Sequence, residues 1–466
     1  MNVTERLAEF VIDTRDVPAP VREASRDAVI DTLACGLAGS LEDCGEIAAR
    51  FVRECGGEAQ ATVWGHGFGT SVLDAAFVNG IASHALDFDD TQPNVRGHPS
   101  TTLVPALLAV GERVHASGAD LLSAYAIGLE VGGKLGRALG DGHYMRGWHA
   151  TATTGVFACA AAGGRLLGLS AGELRNALGL AASQAAGLLR NFGTMTKPFH
   201  AGHAARSGLL AAMLSKHGFT ADTSIFDGDR SFLATYAGED GKPLGELLER
   251  LGNPWEALAP GIGYKRWPCC YCNHRSIGGL LGMIDEHGIK ADEVESIEIG
   301  FPPGSDTALI SGDPQTGLQG KFSIEYVAAA TVLDRRIGLE TFTDVMVKRP
   351  QVRALLAKVK RLRIPDDKIY SGTTGYNDIR VQTSRGAFTR HIDKTPGSPA
   401  WPMSPAERDE KFLDCAGRVL GDKGARALLD LAHGCDSLAD VGALARASVP
   451  ASGAAGARAV SPALAR

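Results

Sequence analysis

From Val3 to about Leu258 the pattern is almost wholly helical, and this long helical stretch constrains the fold more than any other feature. Runs such as Val156 to Leu167 and Leu174 to Leu189 are rich in Ala and Gly, so helix backbones can approach closely. The 58 glycines and the 6% aromatic content favour such contacts over a core built on large rings. Pro18 and Pro20 precede an amphipathic run, Val21 to Ala38, that stops at Gly39 as a helix C-terminus does. Ser117-Gly-Ala-Asp120 and Ser170-Ala-Gly-Glu173 read as capping boxes. A short β-like piece, Ala61 to Trp64, runs into Gly65-His-Gly-Phe-Gly69. No βαβ repeat or suitably spaced acid follows it, so this is a turn rather than a phosphate loop.

The texture changes near Pro254. Beyond Lys265 come strand-like alternations at Val294 to Ile299 and Val359 to Ile364, and a hairpin of Asp378 to Thr383 with Ala387 to His391. Helical runs lie between them at Ile277 to His287 and Glu325 to Asp334. The expected fold class is therefore mainly α: a large all-helical domain plus a smaller α+β lid domain. The division expected is 1–264 for the helical domain, 265–395 for the lid and 396–447 for helices returning to the helical domain. Ser404-Pro-Ala-Glu407 would cap the first of these. The low-complexity tail, 448–466, reads as disordered.

Several function classes are disfavoured. The net charge is −6, and no basic block or aromatic-interleaved Lys/Arg stripe appears, so no nucleic acid partner is expected. No run reaches the roughly 18 apolar residues of a membrane span, and the first sixteen residues lack a signal-peptide core. Nine scattered cysteines, an odd number, suit reduced thiols and a cytoplasmic location. Cys269, Cys270, Cys272 and His274 fall within six residues with no second ligand pair, so no metal is expected there.

Chemistry concentrates in five stretches. His84 to Ser100 (HALDFDDTQPNVRGHPS) crowds Asp87, Asp89 and Asp90 together, tolerable only where cations, donors or water compensate. If the preceding helix continues through Thr91, then His84, Asp87 and Thr91 share one face. Pro93, Gly97 and Pro99 would then turn Arg96 and His98 onto a loop beside it. The plainer alternative is a solvated helix end and a surface turn. Tyr144-Met-Arg-Gly-Trp-His149 precedes an apolar helix whose first turn, with Thr151, suits a carboxylate. Arg146 lies in the same stretch. Lys197 stands just before Pro198, where a helix cannot continue. The junction Tyr264 to Arg275 carries Lys265, Cys270 and His274, and Lys321 to Tyr326 opens a helix of the smaller domain. Each alone fits a capped helix end or packed turn. Together their charges complement the acids at 87–90.

The motifs HALDFDDT, GHPS, VPALLA, RGWHATAT, TMTKPFHAGHAA, SIFDG, KRWPCC, NH and KFSIEY resemble, in order, those of the MmgE/PrpD family. The resemblance covers about residues 5–445. It implies a large helical domain with an α+β lid, a homodimer and no cofactor. It also implies a site at Asp87, Thr91, His98, His149, Lys197 and Lys265, with Tyr326 nearby. The family includes 2-methylcitrate dehydratase, cis-aconitate decarboxylase and iminodisuccinate epimerase. This chain has Cys270 where the decarboxylase has a catalytic histidine, which resembles a bacterial branch closer to the epimerase.

The chemistry expected is loss or exchange of a group on carbon next to a carboxylate of a small di- or tricarboxylate. His98, His149, Lys197, Lys265 and Asp87 are the expected catalytic groups. Thr91, Arg96, Tyr144, Arg146, Cys270, His274 and Tyr326 are the expected substrate contacts. Epimerisation by proton transfer leads, followed by a hydro-lyase, a decarboxylase and a non-catalytic carboxylate binder. Asp87, His98, His149, Lys197 and Lys265 should converge on one net-cationic pocket between the domains. Lys265 should lie within about 15 Å of His98 and Lys197, a bound set by side-chain reach.

Overall fold

A computed structural model describes residues 2–370 and 374–451. The principal helices of the first part are α1 (Val3–Asp13), α2 (Ala19–Gly39), α3 (Asp43–Cys55), α4 (Val72–Ala85) and α5 (Ser100–Val114). They continue with α6 (Gly118–Met145), α7 (Ala150–Leu166), α8 (Ala171–Ala182) and α9 (Thr196–Lys216). Their local chemistry follows the sequence rules. Both halves of the capping boxes form at Ser117/Asp120 and Ser170/Glu173, and α2 carries proline in its first turn. Strands β1 (Ala61–Val63) and β2 (Phe68–Thr70) pair around the glycine-rich turn.

Helix α4 is the pivot. It packs against α2, α5 and α9, and all but three of its residues are buried. Its crossing with α9 depends on two glycines. A Cβ on Gly80 would lie 2.7 Å from the Gly202 Cα, and one on Gly202 would lie 2.3 Å from the Phe77 carbonyl oxygen. That closeness brings the C-terminal end of α4 and the first turn of α9 together, and these two helix ends carry His84 and Lys197.

The second part contains α10 (His274–His287), β3 (Val294–Phe301), α11 (Ile324–Asp334), β4 (Val359–Arg363), β5 (Asn377–Thr383) and β6 (Gly386–Ile392). The sheet order is β4-β3-β5-β6, with β3 and β4 parallel and the other pairs antiparallel. Alternate residues of β3 and β5, such as Ile297, Ile299, Ile379 and Val381, are buried. Together with Ile277, Leu280 and Met283 of α10 and Val327 to Ala330 of α11 they form a core of their own. The helical part has a separate, larger core. The protein is thus mainly α with a smaller α+β portion.

Helix α12 (Pro405–His433), opened by the Ser404/Glu407 capping box, returns to pack along α2. From it Lys411 reaches inward, donating to the Phe88 carbonyl (2.7 Å), the Lys265 carbonyl (3.0 Å) and Asp31 (2.6 Å).

Four expectations are corrected. Helix α4 ends at Ala85, and Asp87 takes a left-handed backbone with φ 52°, so His84, Asp87 and Thr91 do not share a helical face. Thr91 instead exchanges two 2.8 Å backbone hydrogen bonds with Gly263. Pro198 does not stop a helix; it sits in the first turn of α9, where its missing N–H costs nothing. The run to Leu189 is helical only as far as Ala182. The start of the tail expected to be disordered is ordered instead: Ser448 is buried and its carbonyl accepts from the Gly65 N–H (3.0 Å), while residues from 452 onward lie outside the described ones.

Candidate active site

The three crowded acids are reconciled separately. Asp87 Oδ1 accepts from Lys265 Nζ (2.8 Å) and from Lys197 Nζ, and Lys265 also donates to the Asp87 carbonyl (2.9 Å). Burial alone would raise the Asp87 carboxyl. Lys197 and Lys265 outweigh it and hold the group well below the usual carboxylate range. Asp89 lies between two imidazoles, with His84 Nδ1 at 2.9 Å and His98 Nδ1 at 3.3 Å. Burial again pushes upward, and His84 and His98 keep Asp89 ionised. Asp90 has no cation. Burial raises it to about 8, so it holds a proton at neutral pH beside Ser100, whose Oγ is also 2.6 Å from the Tyr125 hydroxyl.

His98 sits on the loop after α4, held by a bond from its N–H to Thr151 Oγ1 (3.1 Å) at the start of α7. The contact needs a glycine beside it, because a Cβ on Gly97 would lie 2.5 Å from that same Oγ1. The His98 Nδ1 is 2.7 Å from the Asp90 carbonyl oxygen, which can only accept. The proton of the neutral ring is therefore on Nδ1, and Nε2 carries a lone pair 3.9 Å from Asp87 Oδ1. Burial and the nearby Lys265 charge lower the His98 pKa, so the ring is neutral at physiological pH. His149, at the N-cap of α7, is pushed well below its ordinary value by burial and by His200.

One cavity collects these groups. Asp87, Thr91, Arg96, His98, Tyr144, His149, Lys197 and Cys270 all line it, with Thr151, Phe192, Tyr271, Cys272 and Phe322. Its wall thus draws on the helical part, on the 265–276 junction and on the approach to α11. Phe192 and Phe322 flank Lys197, with ring centroids 5.0 and 5.1 Å from its Nζ. Lys265 stands behind Asp87, fully buried, and adds its charge without facing the cavity. Lys197 and Lys265 offset the two ionised carboxylates Asp87 and Asp89, and of the two ammonium groups it is Lys197 that lines the cavity, where an anionic ligand can meet it. Cys270 is lowered from its ordinary value by a hydrogen bond from Cys272, with Lys265 and Lys197 adding to the effect.

Three expected contacts lie elsewhere. Arg146 caps the exposed end of α6 and donates to the Ala237 carbonyl. His274 is packed behind the junction between Trp267 and Tyr271, with ring centroids 5.2 and 5.1 Å away. Tyr326 is buried in the second core, where its hydroxyl donates to the Thr341 carbonyl (2.5 Å). Arg96 does line the cavity, but its guanidinium is engaged by Asp141 (2.5 Å) and the Gly136 carbonyl (2.7 Å). Sequence reasoning missed Phe192 and Phe322, which carry no chemical signature, and the role of Asp89 as the anchor of two histidines.

His84, Asp87, Asp89 and His98 could each offer one ligand atom within 4.8 Å of the others. The set fits a metal poorly. Both imidazole Nδ1 atoms are turned to Asp89, and a cation at the free Asp87 Oδ2 would sit against the Lys197 and Lys265 ammonium groups held on Oδ1.

A helical body, a smaller α+β part and a buried Lys–Asp–His cleft lined from both are the features that the comparisons with known proteins then place in a class. Residues 5–244 match the MmgE/PrpD N-terminal domain and residues 267–436 the MmgE/PrpD C-terminal domain. The chain belongs to the MmgE/PrpD family. It is 30% identical to the cis-aconitate decarboxylase of Homo sapiens, over 91% of this chain and 89% of that one. The corresponding figures are 29%, 96% and 93% for the enzyme of Mus musculus, and 26%, 92% and 92% for that of Aspergillus terreus.

Proposed function

We propose that the chain moves a proton at the carbon next to a carboxylate of a small di- or tricarboxylate, as a cofactor-independent epimerase of the iminodisuccinate type. The observation that carries this reading is the fixed tautomer of His98. Its Nε2 lone pair stands in a cavity that also holds an ammonium group and a thiol. Removing a proton beside a carboxylate leaves the C–H electron pair on carbon and builds charge on the carboxylate oxygens. The Lys197 ammonium, backed by Lys265, neutralises that charge in a site shielded from water. Epimerisation also needs a proton returned to the other face of the carbon; the Cys270 thiol can give one while His98 keeps the proton it took, and His149 lines the same cavity as a second acceptor. Thr91, which lines the cavity, then orients the ligand.

A second reading, decarboxylation of a cis-aconitate-like tricarboxylate, is favoured by the relatives that match across about nine-tenths of both chains. There the carbanion forms by loss of CO₂ and an acid of the site reprotonates it. Incubation with candidate acids, followed by chiral separation and gas analysis, distinguishes the two. Interconversion of stereoisomers without net loss supports the epimerase, CO₂ release supports the decarboxylase, and water loss identifies a hydro-lyase. A ligand bound and returned unchanged, with no isotope exchange, contradicts every catalytic reading.

A further inference from the structure

We infer that His200 is a positioning residue that fixes which ring nitrogen of His149 carries the proton. The inference rests on the proton-transfer reading above, in which His149 lines the reacting cavity. The His149 and His200 Nδ1 atoms are 3.0 Å apart, with ring centroids 5.3 Å apart and planes tilted by 57°. Two imidazole Nδ1 atoms can bond only if one bears hydrogen and the other a lone pair. The backbone holds both rings in place. The His149 N–H donates to the Gly187 carbonyl (3.0 Å), and His200 lies one turn beyond Lys197 on α9.

The direction of the bond turns on which ring keeps its hydrogen on Nε2. Both rings are buried, His200 at 5% and His149 at 1% exposure, and the outer ring, His200, is assigned the Nε2–H form that free imidazole prefers. His200 Nδ1 is then the acceptor and His149 Nδ1 the donor. Burial, with the Lys197 charge adding to it, holds both rings below their ordinary range, so both are neutral and a single hydrogen serves the bond between them. Above His149, His84 stacks at 5.8 Å, and Phe192 meets it edge-on at 4.9 Å, so the ring cannot flip freely. His149 therefore presents a bare Nε2 to the cavity. A lone pair at that atom can take a proton from carbon, whereas an Nε2–H cannot.

Nitrogen-15 NMR of histidine-labelled protein tests the assignment, comparing the wild type with His200→Asn and His200→Phe. The Asn side-chain carbonyl can still accept from His149 Nδ1, and Phe cannot. The expected result is Nδ1–H with a bare Nε2 on His149 in the wild type and in His200→Asn, and reversion to Nε2–H in His200→Phe. With the carboxylate that the wild type turns over, His200→Phe should lose about 10²-fold in kcat with KM little moved, the scale of a general base. His200→Asn should recover most of it. A wild-type His149 protonated at Nε2, or a folded His200→Phe chain with unchanged kcat, overturns the inference. If the wild type turns over no carboxylate, the proton-transfer reading fails, and the NMR signal alone decides the tautomer.

Discussion

Asp87, Asp89 and Asp90 differ in ionisation because they differ in partners, and that difference can be read by titration. Asp90 is raised from 3.8 to about 8, so the folded state binds an extra proton between those values. Its favourable contribution is complete below pH 3.8 and is lost as pH rises through about 8. Asn reproduces the protonated form, donating to Ser100 Oγ and accepting from its N–H. The stability of Asp90→Asn relative to wild type should therefore improve steadily from pH 4 to 8, as denaturant midpoints would show. The buried His84 has the opposite sign. Burial lowers it to about 3, so its contribution is intact above pH 6.5 and is lost as pH falls towards 3. Stability should decline over that acid range, and less so in His84→Gln. Lys265→Met removes one of two cations from buried Asp87. It should lower kcat/KM by at least about 10²-fold and stability by up to about 3–5 kcal/mol. Thermal unfolding and initial rates check the two effects separately.

At the scale of elements, the site is set by two close approaches. Gly202→Ala would force α9 from α4, because the added Cβ meets the Phe77 carbonyl at 2.3 Å. A loss of about 1–3 kcal/mol is expected by calorimetry, with activity falling as His84 and Lys197 separate. Gly97→Ala acts more locally. The added Cβ would lie 2.8 Å from the Thr151 backbone nitrogen, so it pushes the His98 loop off the N-terminus of α7 and should reduce both kcat and the melting temperature. The elements themselves were largely legible. Capping boxes at Ser117, Ser170 and Ser404, and the alternation in β3, β5 and β6, are local signals that the structure retains. The end of α4 was not legible. The left-handed Asp87 is held by Lys197 and Lys265, 110 and 178 residues away, and no local rule registers such partners. Pro198 was ambiguous because proline both stops helices and opens them. Arg146, His274 and Tyr326 drew attention by residue type, whereas their positions depend on helix packing that residue type does not encode.

For the molecule as a whole, the helical body and the α+β part each have a core, and the cleft draws on both. Lys411 of α12 ties the Asp87–Asp89 turn to the Lys265 segment, so the returning helix supports the site from behind. Among the described residues no helix is long and apolar enough to cross a membrane. Phe51 of α3 and Phe199 of α9 are 57% and 42% exposed, and burial of such rings in a homodimer through the helical part is expected. Light scattering at micromolar concentration should give twice the 48.7 kDa chain mass. Because lysines supply the positive charge of the cleft, activity should survive exhaustive chelation. The most direct measurement is proton exchange itself. Wild-type protein, His98→Gln and Lys197→Met would be incubated with small di- and tricarboxylates in deuterated water, and the carbon next to the carboxylate followed by NMR. The account predicts deuterium at that carbon with the wild type, and loss of incorporation by at least about 10²-fold in each folded variant. Equal incorporation by wild type and His98→Gln, or none with any carboxylate the protein binds, would contradict it.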